Sequence, residues 1–382
     1  MGSAPLTITD VRAVVVPRVR MGEGLTAPWD RKTHFTREYV AVRVDTDAGF
    51  QGITLDGEWD SVVMTPEVVR EQIAPELIGR SVFDLVHHTR VLGSVRAPGR
   101  YHFIEIALWD IIGQALGQPL AQLWGGREAG VLAYASTVHY GKTPEERAED
   151  CKHYRARGYR AVKLRLSEDT IDGDLALVAA CREAVGDDLD ILVDANQAGR
   201  DPADPHTWSL QRALDTAREL AALKVGWLEE PLPYRMADEG RQLAARAPLP
   251  IAGGEGKSGL APFWEVLHQG VYTVVQPDPV HSGTPTTLLQ ILNLAEAANV
   301  PIAFHHGKSG VGMLLALHLQ AAFGLGVHLE VMDDPGHWNP EGFQVGFREP
   351  VLPGPDGIVP VPDRPGLGAD WDERWLDEVF GS

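Results

Sequence analysis

An α/β chain is predicted, in which a smaller α+β unit precedes a closed parallel β/α barrel. Three observations predict it. The chain has 382 residues, too long for one ordinary small domain and suited to a barrel of roughly 250 residues with a companion. From Val131 onward, short apolar runs alternate eight times with segments that carry helix-start signals. Most of those runs end in an ionisable residue, and strand ends are where a barrel collects its chemistry.

The first unit reads as strands followed by helices. Val11 to Val16 is an apolar, β-branched-rich run interrupted by Arg12 and ended by Pro17. Val40, Val42 and Val44 alternate with Ala41, Arg43 and Asp45 up to a turn at Asp47-Ala48-Gly49. Helices are expected near Pro66–Ile78 and Tyr101–Leu116, the second with Ile104, Leu108, Ile111 and Ala115 on one stripe. The unit ends around Leu123-Trp124-Gly125-Gly126. Barrel strands are then expected to begin near Leu132, Ala161, Asp190, Val225, Leu249, Tyr272, Val300 and Gly326. Thr143-Pro144-Glu145-Glu146 and Ser282-Gly283-Thr284-Pro285 each open a helix with an N-cap followed by proline. An open doubly wound sheet is the rival architecture, but its G-x-G-x-x-G fingerprint after the first strand is missing. The Pro/Gly-rich tail from Glu349 ends in a short segment, Asp370–Phe380, expected to pack back on the first unit.

Composition narrows the function. Apolar residues at 44% supply a sizeable core, and 23% charged residues without low-complexity runs argue against disorder. A net charge of −19 with no Lys/Arg stripe excludes nucleic acid as the expected partner. Cys151 and Cys181 have no metal-ligand spacing and read as reduced packing residues in a cytoplasmic protein. No signal peptide is recognised, and no run of 18 apolar residues exists to span a membrane.

The strand ends carry the chemistry. In chain order they give Lys163-Leu164-Arg165, Asp194, Glu229-Glu230, Glu255, Asp278, His305-His306 and Glu330. Any one of these is equally read as a solvated charge. Three successive strands delivering Asp194, Glu229 and Glu255 into one barrel mouth would repel strongly without a cation among them. An all-oxygen site suits Mg²⁺ or Mn²⁺ better than zinc. Lys163 and Arg165 are two apart, so both are expected to point into the mouth, across from His305. Asp278, one strand earlier, is placed to orient His305 and raise its basicity.

These residues resemble the enolase superfamily, in particular its mandelate racemase/muconate lactonizing enzyme-like branch. The resemblance rests on Ile106-Ala107-Leu108-Trp109-Asp110-Ile111, Leu123-Trp124-Gly125-Gly126, Asp194-Ala195-Asn196 and Trp227-Leu228-Glu229-Glu230-Pro231. It continues through Gly253-Gly254-Glu255, Gln276-Pro277-Asp278 and Pro365-Gly366-Leu367-Gly368, in order and over nearly the whole chain. It implies a modified TIM barrel, (β/α)7β, at 129–349, with an α+β capping domain at 1–128 that residues 350–382 complete. It further implies Asp194, Glu229 and Glu255 as Mg²⁺ ligands and His305 with Asp278 as an acid/base dyad. Glu330 is implied as the carboxylate near the substrate carboxylate, and Lys163 as the first Lys of a Lys-x-Lys motif.

The sequence departs from that pattern at Arg165, where the resemblance implies a second Lys. Arginine stays protonated and is a poor base, though it binds carboxylates well. One conventional base, His305, is then left, which favours dehydration of an acid sugar to a 2-keto-3-deoxy acid over racemisation. Racemase, epimerase and cycloisomerase activities are the alternatives within the family. A Schiff-base aldolase using Lys163 has no role for the carboxylate triad, and a non-catalytic binding protein has none for an intact triad and dyad. Glu330 is expected to be neutral when substrate binds, since only then can it donate. A second departure, Ile53-Thr54-Leu55-Asp56, interrupts a Gly-x-Gly-Glu-like pattern in a capping loop. Trp29, Trp59, His139, Asn196, His281, His306 and Lys308 are candidate contacts for a small carboxylate substrate, and a homo-oligomer is expected.

Overall fold

The computed structural model describes residues 6–29, 31–59, 64–95, 100–126 and 128–381, the side chain of Trp59 excepted. The first unit is a three-stranded antiparallel sheet in the order β1 (Ile8–Thr26), β2 (Thr33–Thr46), β3 (Gln51–Trp59). Gly49, at φ 81°, makes the β2–β3 turn that Asp47-Ala48-Gly49 predicts. One helix was expected over 66–78. It is instead α1 (Pro66–Val68), a π segment (Val69–Ile73) and α2 (Ala74–Leu77). Pro75 has no N–H for the carbonyl four residues back, and the helix widens just before it.

The helix α3 (Leu85–Ser94) was not anticipated. Asp84 makes no side-chain cap there, and His87, His88 and Gly93 blur its periodicity. The next helix, α4 (Ile104–Leu116), ends on left-handed Gly117 and buries Ile104, Leu108 and Ile111 of the expected stripe, while Ala115 in its last turn is exposed. It lies so close to β3 that a Cβ on Gly52 would meet the Ala107 carbonyl oxygen at 2.1 Å. A short α5 (Leu120–Leu123) follows.

The parallel sheet runs β10 (Leu329–Met332), β4 (Gly130–Ser136), β5 (Ala161–Arg165), β6 (Asp190–Asp194), β7 (Val225–Glu229), β8 (Ile251–Gly253) and β9 (Val274–Val275). The strand expected from Val300 is reduced to Ile302, which bridges Val275 on one side and Gly326 on the other. Pro301 has no ladder donor, and the chain leaves the sheet within a few residues to carry the two histidines. These bridges close the ring. The seven helices between the strands are α6 (Pro144–Ala156), α7 (Ile171–Val185), α8 (Leu210–Ala222), α9 (Ala237–Arg246), α10 (Leu260–Gln269), α11 (Pro285–Ala298) and α12 (Gly310–Phe323). The architecture is (β/α)7β.

The tail returns to the first unit. After α13 (Pro340–Phe343), β11 (Ile358–Pro360) pairs antiparallel with β4. Leu367 N–H then donates to Asp110 Oδ1 of α4 at 2.7 Å. The last helix, α14 (Glu373–Phe380), lies against β1, where Arg12 donates to the Phe380 carbonyl. Among the described residues, no helix is long and apolar enough to cross a membrane.

Candidate active site

The barrel interior is built in layers. The lower one is apolar and aromatic: Tyr134, Leu192 and Trp227 fill it, with Tyr134 and Trp227 edge-on at 5.7 Å. The layer above is ionic, because each strand places its inward residue two positions further along. Trp227 Nε1 donates to Glu229 Oε2 at 3.1 Å, and Gln276 Nε2 donates to the same oxygen at 2.8 Å. Lys163 Nζ lies 2.8 Å from Glu229 Oε1 and 2.9 Å from Glu330 Oε1, with all three side chains at 0% exposure. Ser136 Oγ donates to that same Glu330 oxygen at 2.6 Å.

Lys163 is therefore deeper than the sequence suggests. It shares a face with Arg165 but is fully buried, whereas Arg165 reaches the cleft above. Arg165 is held by four groups: the Asp194 carboxylate, Asn196 Oδ1, Ser136 Oγ and the Thr137 carbonyl. Asp194 also accepts from the backbone and side-chain N–H groups of Asn196, a residue in the left-handed region at φ 47°.

Asp194 and Glu229 are register partners on β6 and β7, and Glu255 follows β8 by two residues. Five carboxylates, Asp194, Glu229, Glu230, Glu255 and Glu330, share this region with two permanent cations, Lys163 and Arg165. Burial, opposed by Lys163, lifts Glu229 to about 7. Burial and the neighbouring Glu255 and Asp194 push Glu230 well above the carboxylate range. Such mutual repulsion among oxygen donors is what a hard divalent cation relieves, so Asp194, Glu229 and Glu255 fit one chemically. Their oxygens are not drawn into a cage. Among the described residues, the potential ligands lying within 4.8 Å of one another are those of Asp278, His305 and His306. That group is tied by a hydrogen bond: His305 Nδ1 lies 2.6 Å from Asp278 Oδ2.

Asp278 is fixed before it meets His305. Its Oδ1 accepts the N–H groups of Val280 and His281 at 2.9 and 2.8 Å. Burial alone would raise it, but the His305 hydrogen bond and charge hold it at about 2. His305 Nε2 faces Glu255 Oε2 at 3.3 Å. Burial disfavours the imidazolium, yet Glu255, Asp278 and Glu330 outweigh it and bring His305 to about 9. Without substrate, Glu330 is a carboxylate held at about 2, because Lys163, His305 and Arg165 overcome its burial.

A cleft of about 460 Å³ opens above these groups. Trp29, Arg37 and Glu58 of the first unit line it together with Arg165, Asn196, Arg200, Glu255, His281, His305, His306 and Lys308 of the barrel. Burial and His305 push His306 well below its ordinary value, and its Nδ1 accepts the Lys308 N–H at 2.9 Å. The neutral ring is thereby fixed with its other nitrogen protonated. Lys308, at φ 59°, pairs with Glu58, while Arg37 donates to the Lys308 carbonyl at 2.8 Å. His139 lies elsewhere. It lines the adjoining cleft, accepts the Thr26 N–H and stacks on His337 at 3.4 Å. The side chain of Trp59 lies outside the described residues.

The chain belongs to the mandelate racemase/muconate lactonizing enzyme family. The model of the enolase C-terminal domain-like region matches residues 146–375. That of the mandelate racemase/muconate lactonizing enzyme N-terminal domain matches 14–125. D-galactarolactone cycloisomerase of Agrobacterium fabrum is 31% identical over 291 residues, 72% of either chain. L-talarate/galactarate dehydratase of Salmonella typhimurium is 30% identical over 318 residues, 80% of this chain and 74% of that one. The structure of D-glucarate dehydratase from Agrobacterium tumefaciens, complexed with magnesium, superposes with a TM-score of 0.81 at 26% identity, covering 98% of this chain and 99% of that one.

Sequence reasoning passed over Ser136, Arg37 and Arg200, and reached Glu58 only within the capping segment 52–59. Ser136 ends β4, the one barrel strand for which the sequence offered no ionisable end, and strand-end position was its available signal. Arg37 and Glu58 sit on cap strands, where a charge in an apolar run is the signal.

The interruption at Ile53–Asp56 has a measurable consequence. Asp56 is buried in β3 with Oδ1 lacking a hydrogen-bond partner, and burial raises it to about 7. An acid whose pKa is raised on folding favours the folded state at low pH, and that contribution is lost as pH climbs from about 4 through 7. Asp56→Asn has no such titration. Its stability relative to wild type is expected to improve by about 3 kcal/mol between pH 4 and pH 8. Urea denaturation at both pH values measures this, and parallel pH profiles would refute it.

Proposed function

We propose that this family member is a Mg²⁺-dependent enzyme that removes the α-proton of a polyhydroxylated carboxylate, dehydrating an acid sugar to a 2-keto-3-deoxy acid. The observation that carries the reading is the one cleft imidazole hydrogen-bonded to a buried carboxylate, His305 with Asp278, with Arg165 where a second base would stand. Asp194, Glu229 and Glu255 would hold the cation, and Mn²⁺ suits the same oxygen set. Mg²⁺, when bound, supplies positive charge beside the substrate carboxylate.

His305, held as an imidazolium by Glu255, Asp278 and Glu330, must first give up its Nε2 proton; Nε2 then takes the α-proton while Asp278 Oδ2 holds the opposite ring nitrogen as an N–H. The imidazolium then returns the proton to the departing β-hydroxyl, so one residue serves as base and acid. Lys163, charged and dry beneath the site, faces the growing negative charge without solvent reorganisation. Arg165 adds a second fixed cation, and His306 offers a neutral N–H to a substrate oxygen. Glu330 enters as an anion and must gain a proton before it donates.

Cycloisomerisation is the second reading. The relation to D-galactarolactone cycloisomerase favours it, and one base suffices for it too. A homo-oligomer is part of the proposal and is read by light scattering. The deciding experiment incubates the protein with Mg²⁺ and a panel of mono- and dicarboxylic sugar acids and lactones, with an EDTA control. Metal-dependent 2-keto acid supports dehydration. Loss of lactone with α-proton exchange in D₂O, without keto acid, supports cycloisomerisation. Silence in both overturns the reading.

A further inference from the structure

The cleft does not end at Trp29. A second groove runs between the β1–β2 turn and the loops after β5 and β6, and it shares Trp29, Asn196 and Arg200 with the catalytic cleft. Arg200 therefore stands where the two spaces join. It belongs to the β6–α8 segment, six residues past Asp194.

The other barrel cations on the cleft have close carboxylate partners: Arg165 has Asp194 and Lys308 has Glu58. Arg200 differs. Its Nη1 lies 3.6 Å from Asp204, a side chain 38% exposed, and its Nε is buried without any hydrogen-bond partner. A guanidinium presents five donors in a fork shaped for a carboxylate. A buried donor left without an acceptor is costly, and the protein supplies none here. Trp29, 39% exposed, walls the same junction.

We propose that Arg200 reads the far end of the substrate and that this end is a second carboxylate, so that the substrate class is a dicarboxylic polyhydroxy acid. The inference rests on the acid-sugar reading of the cleft given above. One carboxylate of such a molecule faces Lys163, Arg165 and the cation site, and the other reaches the fork of Arg200. A terminal hydroxymethyl group offers one oxygen without charge and leaves the fork unmet. Local positive charge matters in a chain of net charge −19, which repels a dianion at long range.

The test compares an aldarate with the aldonate of matching stereochemistry, using full-length protein in Mg²⁺. Wild type is expected to favour the diacid in kcat/KM. Arg200→Gln is expected to erase about 100-fold of that preference, through KM rather than kcat, and Arg200→Lys to restore part of it. Calorimetric binding of the diacid dianion to the Mg²⁺-loaded protein is the readout that needs no turnover. It is expected to weaken by a similar factor in Arg200→Gln, with thermal melting confirming that both variants fold. Turnover of monoacids in preference to diacids overturns the proposal and leaves the acid-sugar reading intact. Diacid binding that depends on Arg200 without any turnover supports the proposal and counts against that reading. A diacid KM and affinity within twofold of wild type in Arg200→Gln overturns the role of Arg200.

Discussion

His305→Asn is expected to lower kcat about a thousandfold while leaving Mg²⁺ affinity within a few fold of wild type. This imidazole is the one on the cleft held by a buried carboxylate, since His306 Nδ1 already accepts the Lys308 N–H, and asparagine offers no group that takes up a proton at neutral pH. The rest of the site has independent support. Asp278 keeps the N–H groups of Val280 and His281 and its own donation to Ser282 Oγ. Glu255 loses a positive neighbour at 3.3 Å, which leaves its carboxylate more, not less, in need of a cation. Steady-state kinetics and a Mg²⁺ titration followed by intrinsic fluorescence separate the two effects. Activity within tenfold of wild type would remove the dyad from the chemistry.

The second large effect is on stability. Lys163→Met is expected to destabilise the chain by about 3–5 kcal/mol in EDTA, since it strands buried carboxylates without their partner. Lys163 lies 2.8 and 2.9 Å from Glu229 and Glu330 at zero exposure, so solvent offers no replacement. Removal also frees Glu229 Oε1 and deepens the excess of negative charge. Mg²⁺ should therefore recover part of the loss, by an amount that grows as RT ln(1 + [Mg²⁺]/Kd). Urea denaturation with and without Mg²⁺ measures both quantities. A variant as stable as wild type in EDTA would mean the pairs are not closed in solution.

Much of this site was legible because a barrel strand ends where its apolar run ends, and the residue there is fixed by the backbone alone. Asp194, Glu229 and the Lys163/Arg165 pair were found that way, whereas Glu330, expected at a strand end, is the second residue of β10, which runs on to Met332. Depth was not legible. Period-two alternation puts Lys163 and Arg165 on one face, but only the stacking of layers makes the first a buried counter-ion and the second a wall of the cleft. Partnerships across the ring were equally hidden: Ser136 and Glu330 are 194 residues apart, and no local pattern joins them. The seventh strand illustrates the opposite error. Its apolar run is real, yet Pro301 and the departure toward His305 leave a single bridging residue. The ionisation state of Glu330 was also out of reach, since it depends on three cations brought from distant strands.

The bond between Leu367 N–H and Asp110 closes a loop of 257 residues. During synthesis, α4 emerges from the ribosome long before the segment that caps its carboxylate exists. Apart from β10 on β4, the barrel strands pair with the next strand in sequence, whereas this contact of the cap waits for Leu367. Refolding should therefore proceed in two stages, with barrel fluorescence recovering first and cleft closure last. In the interval β3 already packs on α4, but the stretch around Asp110 and Gly113 lacks Gly366 and Leu367, which leaves the nearly finished chain with an uncovered patch open to aggregation.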